Sequence, residues 1–169
     1  MRVGVALGSN LGDRLFHLRK GRTAILHLAG VMPPILSSPI FETEPVDCEP
    51  NANPFLNAVV EFSYSGVALE LFEKLKQIEI GLGRPTKHAR NVSRPIDLDL
   101  LYFGDLRLTT RKLRLPHPRM SKRQFVLEPL TEIRPDLVLP GQKKTIRELL
   151  ASLDRSTKVM RLTAEWDPQ

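Results

Sequence analysis

The stretch RPIDLDLLYFG, residues 94–104, decides how the middle of the chain folds. Within it, Asp97 and Asp99 alternate with aliphatic residues. This period of two predicts a β-strand that buries the aliphatic side chains on one face and places both carboxylates on the other, about 6.5–7 Å apart. Because two like charges at that distance raise each other's pKa, we expect either a cation between the aspartates or salt bridges from nearby arginines.

Patterning on both sides of this strand predicts a single mixed domain. The order of elements is β-α-β-β-α-β, which is the ferredoxin-like order: an α+β fold with an antiparallel sheet and both helices on one face. We expect one domain over 1–169, with a core of about 1–140 and a C-terminal extension of about 141–169 that holds a helix and a strand. The predicted strands are 2–9, 35–45 with an interruption at Pro39, 55–64, 96–104 and 158–162, and the predicted helices are Asp13 to Gly30, 67–83, 124–130 and 145–153.

Local composition predicts one helix end and one turn. Pro33 and Pro34 are expected to stop the first helix, because proline cannot continue an α-helix. Gly104 and Asp105 predict a tight hairpin turn after the central strand.

Positive charge is concentrated around the aspartate pair. The net charge is +6, but residues 84–123 alone carry 11 Lys and Arg against three Asp, a net charge of +8, so the rest of the chain is at −2. A basic surface alone would be a weak indication of nucleic-acid binding. A basic segment that encloses two carboxylates indicates a polyphosphate bound together with a divalent metal.

The remaining composition indicates the compartment. The only cysteine, Cys48, cannot form an internal disulfide, and the first apolar stretch, Val3 to Leu7, is too short for a signal sequence or a membrane span. We therefore expect a cytoplasmic protein without membrane contact. Met1 directly before the first strand favours a stand-alone enzyme.

Five blocks of the sequence, in order, carry a resemblance to a known family. They are ALGSNLGD (6–13), FLNAVVEF (55–62), IEIGLGR (78–84), SRPIDLDLLYFG (93–104) and LPHPRMSKRQFVLEPLTEI (115–133). Together they resemble the 6-hydroxymethyl-7,8-dihydropterin pyrophosphokinases of folate biosynthesis, from about residue 3 to residue 140. The resemblance implies the ferredoxin-like order and transfer of the β,γ-diphosphate of ATP to the pterin hydroxymethyl group, which leaves AMP.

The resemblance also implies roles on the nucleotide side. Asp97 and Asp99 would bind two Mg²⁺ ions, and with Arg84 and Arg94 they form the expected catalytic group. Replacing either aspartate by alanine is expected to leave the fold intact or slightly more stable, because charge repulsion is relieved. No residue is an obvious general base. The implied ATP-binding set is Arg84, Lys87, Arg90, Arg94, Leu100, Lys112, His117 and Arg123.

The pterin side needs flat apolar surfaces and an amide. Phe55 and Phe125 are suited to sandwich the ring, and Asn57, two residues after Phe55, points the same way and both donates and accepts hydrogen bonds. The implied pterin-binding set is Thr43, Pro45, Val46, Phe55, Asn57, Asp97 and Phe125.

Four positions depart from the family pattern. Asn91 and Val92 stand where an aromatic and a glycine are usual, so closure of that loop is expected to differ. Lys112 and Pro118 stand where arginine and an aromatic are usual, so the adenine contacts are expected to differ.

The sequence argues against two other functions. An RNA-binding module of this fold would need exposed aromatics on its sheet, whereas the chain has 10 aromatics and no aromatic-rich strand of that kind. A nucleotidyltransferase would need its carboxylates about a dozen residues after Gly8 and Ser9, and Asp97 lies far beyond that. The expected partners are ATP and the pterin, with no nucleic acid, and a monomer is favoured.

Overall fold

The fold is a mixed α/β arrangement, given by a computed structural model that describes residues 1–45, 52–85, 93–154 and 157–166. A short 3-10 helix, Met120–Lys122, precedes α3. The strands are β1 (Arg2–Ser9), β2 (Val31–Ser37), β3 (Ile40–Thr43), β4 (Phe55–Tyr64), β5 (Asp97–Phe103), β6 (Leu108–Thr109), β7 (Arg114–Leu115) and β8 (Val159–Thr163). The helices are α1 (Arg14–Leu26), α2 (Ala68–Gly81), α3 (Gln124–Ile133) and α4 (Ile146–Ala151).

The main sheet is antiparallel and six-stranded. Its order is β5-β1-β4-β3-β8, and β2 also pairs with β4. The long strands β1 and β4 lie in the middle, where their valine and leucine side chains are buried. The structure confirms the prediction of a fold that combines helices with an antiparallel sheet.

Helices cover both faces of the sheet. On one face, α1 and α2 pack Leu18 and Leu71 against Ile96 and Leu98, which are fully buried. On the other face, α3 and α4 form a second apolar cluster around Leu101. The face of β5 that carries the aspartates is therefore open only at the start of the strand. Farther along that strand, the C-terminal helices bury the same face.

The prolines after α1 do not stop that helix. α1 begins at its cap Asp13, whose side chain accepts a hydrogen bond from the Phe16 amide at 2.9 Å, and ends at Leu26. Pro33 and Pro34 lie inside β2, where the register against β4 is interrupted. Proline is tolerated there because no ladder hydrogen bond is required of it at that point.

The predicted hairpin at Gly104 and Asp105 is wrong. Gly104 does have a positive φ of 52° and turns the chain, but the neighbour of β5 in the sheet is β1. The hairpin of this region joins β6 to β7, closed by a hydrogen bond from the Thr110 amide to the Leu113 carbonyl. A turn residue indicates a local bend, but it does not indicate which strand pairs with the strand before the turn.

The C-terminal extension is part of the main sheet. β8 matches the predicted strand closely and pairs with β3, and the side chain of Trp166 is buried in the cluster beneath α1. No helix in the described part of the chain is long and apolar enough to cross a membrane.

Candidate active site

The two aspartates open into one cavity. Asp97 and Asp99 lie on the side of β5 opposite Ile96 and Leu98, as the alternation predicts, and their side chains are 25% and 32% exposed. The cavity measures about 280 Å³ and combines cationic, acidic, aromatic and amide side chains. Predicted site residues that line it are Thr43, Phe55, Asn57, Arg84, Arg94, Asp97, Asp99, His117, Arg123 and Phe125.

Arginines compensate the aspartates in this arrangement. Arg84 forms an ion pair and hydrogen bond with Asp97, and Arg94 approaches its other oxygen at 3.1 Å. Burial raises the pKa of Asp97, but the charges of Arg94 and Arg84 outweigh it, and the pKa lies below its ordinary value. Asp99 is paired more loosely with Arg123, at 3.5 Å. Arginine salt bridges are present at both aspartates, so the carboxylates are not left as an uncompensated like-charge pair.

Glu79 holds Arg84, the arginine that follows the end of α2, in place. This carboxylate is only 3% exposed and accepts hydrogen bonds from the Leu98 amide at 2.6 Å and from Lys76 at 2.9 Å. It also pairs with Arg84 at 2.7 Å. Burial raises the pKa of Glu79 against the opposing effect of Lys76. Glu79 therefore ties α2 to β5 directly behind the aspartates.

The residue-level predictions missed Glu79, Lys76 and Arg119. Lys76 and Arg119 line the cavity and add two cations to it. The signal for Glu79 was present in the sequence: it follows Leu75 by four residues, which places a carboxylate on the buried face of the helix.

The other side of the cavity has the character of a ring-binding pocket. Asn57 is buried, and its side-chain amide donates to the Thr43 hydroxyl oxygen at 2.7 Å. Phe55 and Phe125 both line the cavity, with the guanidinium groups of Arg94 and Arg123 at 5.9 and 5.4 Å from their respective ring centroids. Each phenylalanine thus lies beside an arginine that also pairs with one of the aspartates.

His117 lies where this cavity meets a second one of about 480 Å³. Burial lowers the pKa of His117, although the charge of Asp99 opposes this. Leu100 and Lys112 line the second cavity, so the predicted ATP set is divided between two adjoining spaces. Leu100 is 3% exposed with its side chain in the core, and the Lys112 ammonium pairs with Glu73 at 3.1 Å.

Some predicted residues are not brought to these cavities. Pro45 lines neither of them, whereas its neighbour Glu44 lines the first. Val46, Lys87 and Arg90, together with the departures Asn91 and Val92, lie outside the described residues. Within the described ranges, no group of three or more His, Cys, Asp or Glu side chains is placed to hold a metal ion. The aspartate pair would therefore supply two protein ligands, with other ligands coming from water and substrate.

Carboxylates surrounded by guanidinium groups fit an enzyme of phosphate-group transfer, and the adjoining aromatic and amide side chains fit a small planar ring. The family described as "7,8-dihydro-6-hydroxymethylpterin-pyrophosphokinase (HPPK)" matches residues 4–135. The chain belongs to this family, whose members are pyrophosphokinases that act on hydroxymethyldihydropterin in folate biosynthesis.

Individual relatives agree. The chain is 46% identical over 129 residues to the 2-amino-4-hydroxy-6-hydroxymethyldihydropteridine pyrophosphokinase of Bacillus subtilis, covering 76% of this chain and 75% of that one. It is 34% identical over 146 residues to the enzyme of the same name from Aquifex aeolicus, covering 86% and 88%.

A solved structure shares the fold. A crystal structure of HPPK-DHPS in complex with substrates aligns with a TM-score of 0.68 at 15% identity. The alignment covers 89% of this chain and 42% of that longer one.

Proposed function

We propose that this chain transfers the β,γ-diphosphate of ATP to the hydroxymethyl group of 6-hydroxymethyl-7,8-dihydropterin, giving the pterin diphosphate and AMP. The observation that carries the proposal is one cavity that holds the Asp97 and Asp99 carboxylates together with Asn57 and the two phenylalanines. In this reaction the hydroxymethyl oxygen loses its proton to solvent and bonds to the β-phosphorus. The bond from that phosphorus to the oxygen bridging to the α-phosphate breaks, and AMP leaves.

Three arginines and one histidine are proposed to bind the phosphates. Arg84, Arg94, Arg123 and His117 line the cavity beside the carboxylates, and a guanidinium matches phosphate oxygens with two parallel hydrogen bonds. Phosphoryl transfer spreads negative charge over the oxygens, so fixed cations stabilise the transition state without moving during the reaction. Lys87 and Arg90 are proposed to complete the set, and Leu100 and Lys112 to lie on the nucleoside side.

The residues around Asn57 are proposed to bind the pterin. Phe55 and Phe125 would contact the ring faces, and the buried Asn57 amide would read the donor and acceptor edge. The Thr43 hydroxyl holds that amide in place at 2.7 Å. Pro45 and Val46 are proposed to form the wall at the ring edge.

Asp97 and Asp99 suit a magnesium site. Both are oxygen donors on one face of a rigid strand, partly open to the cavity, which is the ligand type Mg²⁺ prefers when phosphates and water complete its coordination. We propose that they hold two Mg²⁺ ions when ATP is bound. The ions would neutralise phosphate charge and act as Lewis acids.

We also propose the ferredoxin-like description for the core and a monomer as the working form. Support for the fold comes from the order β5-β1-β4-β3, antiparallel at each pairing, and from α1 and α2 packing on the same face. An experimental structure with α1 and α2 on opposite faces would contradict the description.

The nucleotide product tests the proposed reaction. The protein is incubated with ATP, Mg²⁺ and hydroxymethyldihydropterin, and the products are separated and identified. AMP formed in a one-to-one ratio with pterin diphosphate is the expected result, and it should disappear when Mg²⁺ is chelated. Formation of ADP would contradict the proposal, because it indicates transfer of a single phosphoryl group.

A further inference from the structure

The C-terminal segment reaches back to the strand that carries Thr43. β8 pairs with β3 on the side away from β4, with Val159 opposite Thr43 and Met160 opposite Glu42. β3 has four residues and only three register pairs with β4. Without β8, β3 would be a short strand at the edge of the sheet, where such strands fray most readily.

Trp166 fixes the start of β3. Its ring N–H donates to the Ser38 carbonyl at 2.8 Å, its side chain is 7% exposed, and the Arg22 guanidinium lies 5.2 Å from the ring centroid. Ser38 is fully buried at the break between β2 and β3. Its backbone N–H donates to the Val59 carbonyl of β4, and its hydroxyl oxygen accepts from the Val59 N–H, at 2.9 Å in each case. Trp166 therefore completes a hydrogen-bonded anchor at the point from which β3 emerges.

Loss of this anchor would affect the half of the cavity that contains Thr43 and Asn57. Thr43, at the end of β3, accepts the hydrogen bond that orients the Asn57 amide. The carboxylates and their arginines depend on β5 and the end of α2, and β5 is at the opposite edge of the sheet from β8. A loosened β3 would disturb the amide and leave the carboxylate side in place.

We propose that the segment 159–166 is a positioning element for the acceptor side of the cavity, a role that rests on the proposed function. Trp166 and β8 hold β3 in register, so that Thr43 keeps the Asn57 amide directed at the pterin. The segment lies beyond residues 4–135, the part that matches the family.

Substitution of Trp166 tests the proposal. Trp166→Phe keeps an apolar ring and removes the N–H donor, so the fold is expected to survive. We expect the Kd and KM for the pterin to rise about three- to tenfold, which corresponds to the loss of about one hydrogen bond. The Kd for a non-hydrolysable ATP analogue with Mg²⁺ and the kcat at saturating pterin should stay within about twofold of the unmodified protein.

The control separates positioning from general stability. Leu71→Ala removes a fully buried side chain from the first half of α2, a helix that carries none of the proposed pterin contacts, and should lower the free energy of unfolding without a selective change in pterin affinity. The inference is overturned if Trp166→Phe leaves pterin binding unchanged, or weakens both substrates equally as a loss of stability would.

Hydrogen exchange keeps the two proposals separable. Amides of residues 40–43 should exchange faster in Trp166→Phe than in the unmodified protein, whatever ligand the cavity takes. If the unmodified protein fails to bind the pterin, the proposed function is wrong. Unchanged protection of β3 in that same experiment would overturn the role of the tail.

Discussion

Asp97 is the carboxylate of the site that two arginines keep ionised. It pairs with Arg84 and Arg94, which hold its pKa below the ordinary value of 3.8 despite burial. Its removal is therefore expected to destabilise the fold, in contrast to the gain expected from relieved repulsion. Asp97→Asn should lower the free energy of unfolding at pH 7 by about 2 kcal/mol and lower kcat by several orders of magnitude.

The pH dependence of that loss follows from the direction of the shift. The unfolded chain protonates Asp97 first, so its stabilisation is complete above the unfolded pKa and is lost as the pH falls through the folded pKa. The difference in unfolding free energy between the protein and Asp97→Asn should be constant above about pH 5 and shrink below pH 4 in urea titrations. Asp105→Asn, an exposed position in the same basic segment, is the control and should show no such difference.

Glu79 is the second residue at which charge is decisive. Glu79→Gln keeps an oxygen for the Leu98 amide but removes the negative charge facing Arg84 and Lys76. We expect kcat to fall about tenfold, because Arg84 loses the partner that holds it beside Asp97. Steady-state kinetics measure this, with Glu70→Gln, an exposed position on the same helix that pairs with Lys74, as the control. Equal kinetics for the two variants would contradict the assignment.

At the scale of elements, a buried carboxylate joins α3 to the sheet. Glu61 on β4 is fully buried and accepts hydrogen bonds from Arg2, Arg134 and the Tyr102 hydroxyl. Arg134 caps α3, so this cluster links β1, β4 and β5 to the helix that carries Phe125. Burial, together with the charge of Glu61, raises the pKa of Tyr102 well above its ordinary value, and the hydroxyl stays a donor.

Replacing Glu61 should loosen that joint. Glu61→Gln leaves two arginines without their anionic partner and is expected to lower the free energy of unfolding by about 3 kcal/mol in urea titrations. Glu132→Gln, which removes an exposed pair with Arg161 at 3.5 Å, is expected to cost less than about 0.5 kcal/mol. A similar cost for both variants would show that the buried cluster contributes no more than a surface pair.

The elements themselves were predictable to different degrees. β5, α2 and β8 follow from periodicity over a few residues, which is a local property of the chain. The pairing of β6 with β7, and the prolines inside β2, depend on which strand lies alongside. Composition does not encode that neighbour, because turn and proline preferences act over only a few residues.

At the scale of the whole molecule, the uneven charge is expected to govern nucleotide binding. Residues 84–123 have a net charge of +8, whereas the rest of the chain has a net charge of −2. ATP is strongly anionic and the pterin is nearly neutral. Raising added salt from about 50 to 500 mM at saturating Mg²⁺ should raise the KM for ATP on the order of threefold, through screening of these charges. The KM for the pterin in the same assays is the internal control and should change little. A parallel rise in both would contradict local electrostatic attraction.

The strand alternation that places Asp97 and Asp99 on one face, the basic segment around them and the family membership can all be read from the sequence. These are properties of neighbouring residues, or of blocks preserved in order. The three-dimensional fold was needed to show that arginines pair with the carboxylates, that Glu79 supports Arg84, and that the C-terminal segment adds a strand beside β3. These contacts join residues from 3 to 128 positions apart, and the distant ones depend on the packing of the whole sheet.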